Sequence, residues 1–145
     1  MVLWWIGNAL LLVAVVPILV ALLNRVLAAL ERIRGAADDI LAAVQAGERW
    51  RDDIRLARET TIDAEGVKII QPDDTVEYRF AGQAIWRHSA QTGRTICLLS
   101  KVKTSAMQRE ARRQVSAWRW EVELRSRKAP PYLRPLFTFE AVPAP

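Results

Sequence analysis

The stretch VLWWIGNALLLVAVVPILVALL, residues 2–23, carries no charged side chain. A helix of that length is about 33 Å long, which matches the roughly 30 Å hydrocarbon core of a bilayer. No basic segment precedes the run, and it exceeds the ~7–15 apolar residues usual in a signal peptide. It therefore predicts a retained membrane-spanning helix. The predicted anchor residues are Trp4 and Trp5, at one membrane interface, and Pro17, which bends the helix or loosens its packing.

The helical pattern continues beyond the predicted span. Apolar residues recur at intervals of three and four, as on one face of an amphipathic helix. We expect this helix over residues 25–58, with a break or kink at Gly47, because glycine costs roughly 1 kcal/mol in a helix interior. The predicted stripe comprises Val26, Leu30, Ile33, Ala37, Ile40 and Val44.

Two kinds of partner fit this stripe: the chain's own C-terminal domain, or a helix of another subunit. A sheet of short strands, about 17–20 Å long, is too short to cover the whole stripe together with Trp50 and Ile54. We therefore expect the sheet to cover residues 44–57. The predicted interface with a partner helix is then Val26, Leu30, Ile33 and Ala37.

From residue 59 the apolar pattern changes to the period of two that is typical of strands. The turn signals between the runs predict an antiparallel meander, with the amphipathic helix covering its apolar face. The fold class is therefore α+β, divided into a transmembrane helix (1–24), a helical stem (25–58) and a sheet domain (59–145). The predicted strands cover residues 60–62, 67–70, 76–80, 84–87, 95–99, 118–124 and 137–141, with a proline-rich loop over 126–135.

The clearest alternation lies in the strand at residues 118–124. Trp118 and Trp120 fall on one face and Arg119 on the other. Exposed tryptophans beside cations would form a stacking platform for nucleic acid. Because the alternation separates the tryptophans from the arginines, we predict that the tryptophans belong to the core.

Positive charge is concentrated at the end of the chain. From residue 94 onward eleven Lys or Arg stand against four Asp or Glu. Such a surface attracts phosphates, so a membrane-tethered domain that binds nucleic acid or anionic lipid is an alternative function. An accessory subunit of another membrane complex is a further alternative. A solvated sheet face beside an anionic membrane explains the same charge. The predicted basic surface comprises Arg112, Arg113, Arg119, Arg125, Arg127 and Lys128.

Catalytic patterns are weak throughout. Cys97 lies in the apolar run 95–99, which predicts a buried, inert thiol, and His88 follows a strand near a turn, where a solvated histidine is expected. Asp52 and Asp53 point about 100° apart on a helix and do not form a carboxylate pair. We expect no enzymatic activity, no cofactor, no metal and no small-molecule substrate.

The order of these parts resembles type IV pilin-like proteins, particularly the minor pseudopilins of type II secretion and related competence systems. The stretch WRDDIRLARETTIDAEGVKIIQPDDTVEYRFAGQAIWRHS is similar to their helix end, strand pair, "YR" motif and glycine turn, and LRPLFTFEAVPAP to their last strand. The resemblance implies an anchored structural subunit in the bacterial inner membrane, assembled with pilin-like or platform subunits, with its sheet outside the cytoplasm.

The chain departs from that family at its start. Pilin precursors have a basic leader that ends in glycine, followed by a glutamate at the fifth mature position. Here Gly7 follows an uncharged segment and Leu12 occupies the glutamate position, so no functional residue is carried over. The flanking Arg25, Arg32 and Arg34 favour a cytoplasmic C-terminal part by the positive-inside rule, which leaves the side of the membrane open.

Overall fold

The computed structural model describes residues 2–63, 66–112, 115–125 and 135–144. The chain forms two compact units, Met1–Ile40 and Leu41–Pro145. One helix, α1, runs from Val2 to Arg55 and is followed by strands. The strands are β1 (Glu59–Ile62), β2 (Gly66–Ile70), β3 (Thr75–Ala81), β4 (Ala84–Ser89), β5 (Arg94–Leu99), β6 (Val102–Arg112), β7 (Val115–Leu124) and β8 (Leu136–Ala141).

The strands form two antiparallel sheets. The first contains β1 to β5 in chain order, and the second contains β6, β7 and β8 in chain order. The α+β class is confirmed, but the expectation of one meander is wrong. The chain leaves the first sheet at Leu99 and reaches Val102 through Lys101, whose φ of 60° places it in the left-handed region. From there β6 pairs with β7 instead of β5.

Strand β6 is the main element that the sequence did not reveal. It is the longest strand, with 11 residues, yet Lys, Thr, Ser, Gln and Arg along it show no apolar alternation. Its pairing partner explains its conformation, because its residues pair along β7 from Val102↔Leu124 to Arg112↔Val115. Tertiary pairing thus overrides the weak local preference for a strand.

The core of the second unit lies between the last turns of α1 and both sheets. Trp120 is fully buried at its centre, with its ring centroid 5.7 Å from that of Trp50, 6.1 Å from that of Tyr78 and 5.6 Å from that of Phe139. Burying an aromatic or aliphatic side chain of this size stabilises a fold by about 1.5–3 kcal/mol. Helix α1 contributes Ala43, Ala46, Trp50 and Ile54, Ala57 follows just after the helix, and β7 contributes Trp118, Trp120, Val122 and Leu124.

Two expectations about the helix need correction. No break occurs at Gly47, since α1 continues to Arg55. Glycine is needed there for packing, because a Cβ would overlap the Phe139 ring. The sheets do cover the helix from residue 43 onward, but they do so through Ala43 and Ala46, whereas Val44 is 41% exposed. The apolar stripe predicted from the sequence is therefore not the face of α1 that the sheets bury.

Candidate functional site

The first candidate functional feature is the N-terminal part of α1, as a possible membrane span. An 18-residue window within Val13–Arg55 has a mean hydropathy of 2.3, and none of it is buried. Large apolar side chains such as Ile18, Leu19 and Leu23 are exposed. One helix is thus long and apolar enough to cross a membrane. Pro17 lies within it, and the side chains of Trp4 and Trp5 lie outside the described part.

The predicted partner-helix interface is also exposed. Val26, Leu30 and Ile33 are each more than half exposed, and Ala37 is exposed as well. A solvated apolar stripe of this kind marks an interaction surface more often than a free one. The four residues therefore lie where a partner helix has access to them.

A buried polar cluster fastens the end of α1 to the first sheet. The Asp53 carboxylate, 7% exposed as a residue, accepts hydrogen bonds from Arg87 Nε (2.8 Å) and Nη2 (3.0 Å). The Tyr78 hydroxyl donates to the same carboxylate at 2.5 Å, and Gln71 Nε2 donates to the Asp53 carbonyl at 3.0 Å. We call Asp53, Gln71, Tyr78 and Arg87 the Asp53 cluster.

The electrostatics of the Asp53 cluster are those of a structural ion pair. Hydrogen bonds to Asp53 raise the pKa of Arg87. Burial and the negative charge of Asp53 raise the pKa of Tyr78, so its hydroxyl stays protonated and serves as a donor. The cluster joins α1 to β3 and β4 and holds the guanidinium and carboxylate in a fixed, forked arrangement.

Sequence reasoning missed the Asp53 cluster, although a signal was present. Asp53 follows Trp50 by three residues and precedes Ala57 by four, which places it on the same helical face as those apolar residues. An acid on an apolar face is a sign of a buried partner. Asp52, by contrast, is exposed and pairs with Arg55 at 3.2 Å.

A second polar centre stabilises the turn between β2 and β3, over residues 71–74. The Asp74 carboxylate accepts hydrogen bonds from Ser89 Oγ at 2.6 Å and from the amides of Thr75 and Gln91. Partial burial raises the pKa of Asp74, but these hydrogen bonds lower it, and the net result is a lowered pKa. Because the pKa is lower in the folded state, the bonds stabilise the fold above about pH 4 and lose their effect as the pH falls through the folded-state value.

The structure describes only part of the predicted basic surface. Arg119 forms ion pairs with Glu110 at 2.7 Å and Glu140 at 2.9 Å, and the hydrogen bond to Glu140 raises its pKa. Arg125 donates to Gln83 Oε1 at 3.0 Å. The charge of Arg119 is therefore compensated by acids on its own sheet. The side chain of Arg112 and the residues Arg113, Arg127 and Lys128 lie outside the described part.

The expectation of a buried Cys97 is wrong. Cys97 is exposed. It lies on β5, an edge strand of the first sheet, whose residues 94–97 are exposed and whose last residue, Leu99, is buried. His88, which is partly buried, has its Nδ1 2.9 Å from Thr95 Oγ1. A shallow depression of about 390 Å³ on this face is lined by Glu77, Arg79, Ala81, Trp86, His88 and Thr95.

Within the described ranges, no group of three or more His, Cys, Asp or Glu side chains is placed to hold a metal ion. No protein-family model, curated protein or solved structure matches this chain. Its function must therefore be inferred from the exposed apolar helix and from the folded unit that its last turns complete.

Proposed function

We propose that this chain is a non-enzymatic, single-pass membrane protein that serves as a pseudopilin-like subunit of a bacterial secretion, pilus or DNA-uptake machine. In this role α1 anchors the subunit in the inner membrane and packs against helices of other subunits. The α+β unit gives the subunit its recognition surface. The observation that carries the proposal is the exposed apolar face of α1 between the span and the folded unit.

The exposed apolar face lies after the membrane span, so its position favours contact with protein over contact with lipid. Residues 2–23 are already long enough to cross the hydrocarbon core, so Val26, Leu30 and Ile33 follow the span. Each would be stabilised by about 1.5–3 kcal/mol on full burial. A partner helix offers that burial beyond the bilayer, where water otherwise solvates these side chains.

The folded unit suits a structural role. The Asp53 cluster and the Trp120 core fix α1 to both sheets. The ion pairs of Arg119 weigh against a nucleic-acid surface on the outer face of the second sheet, because a compensated guanidinium attracts phosphate weakly.

Cysteine crosslinking in membranes tests this role. In a Cys97→Ser background, Leu30→Cys and Ile33→Cys should crosslink to a neighbouring chain several-fold more than Glu31→Cys and Arg32→Cys. The control positions lie at the same depth on the opposite side of α1, so they report random collision. Equal crosslinking at all four positions, or none at any, would contradict a packed helix.

A further inference from the structure

Among the tryptophans whose side chains the structure describes, one is exposed. Trp50, Trp118 and Trp120 are at most 5% exposed, whereas Trp86 on β4 is 37% exposed. The Nε1 of Trp86 donates to the Ala81 carbonyl at 3.2 Å. This bond restrains the indole and uses its single hydrogen-bond donor, so a ligand would meet Trp86 through the apolar ring.

Trp86 lies in the shallow depression on the first sheet, together with charged and polar side chains. The strand register brings them together, because Arg79 pairs with Trp86, Glu77 pairs with His88, and His88 pairs with Thr95. Directly paired residues point to the same side of a sheet, and the opposite face of β3 is the one that is buried. The volume of about 390 Å³ is at the lower end of the range for small-molecule sites, roughly 300–1,000 Å³.

The charges that line the depression compensate each other. Arg79 Nη2 lies 3.0 Å from Glu77 Oε2. Lys68, a further cation on this face, pairs with Glu77 from β2 and does not line the depression. Paired charges attract neither an anion nor a cation strongly. A carboxylate has about four acceptor positions and an imidazole has a second ring nitrogen, so Glu77 and His88 can bond to ligand hydroxyls while they keep their present contacts.

We propose that this depression binds a neutral saccharide, with one sugar ring stacked on Trp86 and its hydroxyls bonded to Glu77 and His88. A pyranose ring combines an apolar C–H face, which packs on an aromatic ring, with hydroxyls along its edge, which bond to planar polar side chains. A nucleic-acid strand would also stack on Trp86, but its phosphates require a positively charged groove, and Arg79 is compensated by Glu77. An uncharged ligand rich in hydroxyls therefore matches the depression best.

Cys97 provides a reporter for this site. It is the only cysteine in the chain, it is exposed, and it pairs with Trp86 in the strand register. The Cβ atoms of directly paired residues lie about 4.5–5.5 Å apart, so a sugar stacked on Trp86 covers the thiol as well. The rate at which a maleimide labels Cys97 should therefore fall as the depression fills.

Thiol labelling and calorimetry of the full chain, in a detergent without a sugar headgroup, test this proposal. The probes are neutral oligosaccharides of glucose, mannose and N-acetylglucosamine at millimolar concentration. At least one probe should slow the labelling of Cys97 several-fold and saturably, with a matching dissociation constant from calorimetry. Trp86→Ala should weaken binding about ten-fold or more, the effect known for bases stacked on aromatic side chains. Trp86→Tyr keeps a stacking ring and should bind within about three-fold of the wild-type chain.

Phe80→Ala is the matched control. Phe80 is also an exposed aromatic residue of β3 and β4, at 41%, but it alternates with Arg79 and does not line the depression. This variant should bind the probe as the wild-type chain does. If Trp86→Ala does not fold, Glu77→Gln takes its place and should weaken binding several-fold, while Trp86→Tyr still binds.

Three results would overturn the saccharide site. They are binding of none of the probes, equal weakening by Trp86→Ala and Phe80→Ala, and stronger protection of Cys97 by single-stranded DNA or a heparin oligosaccharide than by any neutral probe. Each of them leaves the role of α1 standing, because the depression belongs to the folded unit.

Discussion

Replacing Asp53 with alanine should lower the free energy of unfolding of the folded unit by about 3–5 kcal/mol, because it leaves the buried charge of Arg87 without its partner. The hydroxyl of Tyr78 loses its acceptor as well. Thermal unfolding of the full chain in detergent, followed by near-ultraviolet circular dichroism, measures the effect. For a unit of about 100 residues, each kcal/mol shifts the midpoint by roughly 4–8 °C.

The neighbouring carboxylate provides the matched control for Asp53. Asp52→Ala removes an exposed ion pair and should change stability by no more than about 0.5 kcal/mol. Combining Asp53→Ala with Arg87→Ala should cost at least about 1 kcal/mol less than the sum of the single changes, since the two side chains act as one unit. Equal losses for Asp52→Ala and Asp53→Ala, or strict additivity with Arg87→Ala, would rule out the buried pair.

Replacing Trp120 with alanine should cost about 3–5 kcal/mol, the range for an aromatic side chain removed from a packed core. Trp120 contacts three aromatic rings, and its Nε1 donates to Ser105 Oγ at 2.9 Å. Arg119→Ala should cost less than about 1 kcal/mol, because its ion pairs are partly solvated. Resistance to proteolysis over a urea series compares the two variants without relying on tryptophan signals. Comparable losses would show that the tryptophans are not the centre of the core.

Periodicity predicted the parts of the fold in which one face is buried. The hairpin of β1 and β2, the buried phase of Trp118 and Trp120 and the final strand through Phe139 follow from alternation and turn residues, and the structure confirms them. The long helix follows from an apolar run and an a/d-like stripe. The strand patterns match the faces that are buried. The a/d-like stripe predicts the helix but not its buried face, which passes through Ala43 and Ala46.

Other features depend on contacts between residues far apart in sequence. Strand β6 owes its conformation to β7, and the division into two sheets depends on which edge the chain pairs with after Leu99. Cys97 lies exposed on β5, an edge strand, which an apolar run does not reveal. The partner of Asp53 is Arg87, which lies 34 residues away in the sequence. The pairing is therefore evident only in the folded chain.

Washing membranes at high salt and then at alkaline pH tests the central claim, which is that α1 anchors this chain as an integral membrane protein. The uncharged run over residues 2–23 predicts that the full chain stays in the pellet through both washes and is released only by detergent. Val13→Arg places a charge at the middle of the span, costs roughly 2.5–3.5 kcal/mol there on insertion scales, and should shift part of the chain to the supernatant. Recovery of the wild-type chain in the soluble fraction without detergent would contradict the membrane anchor and, with it, the proposed role.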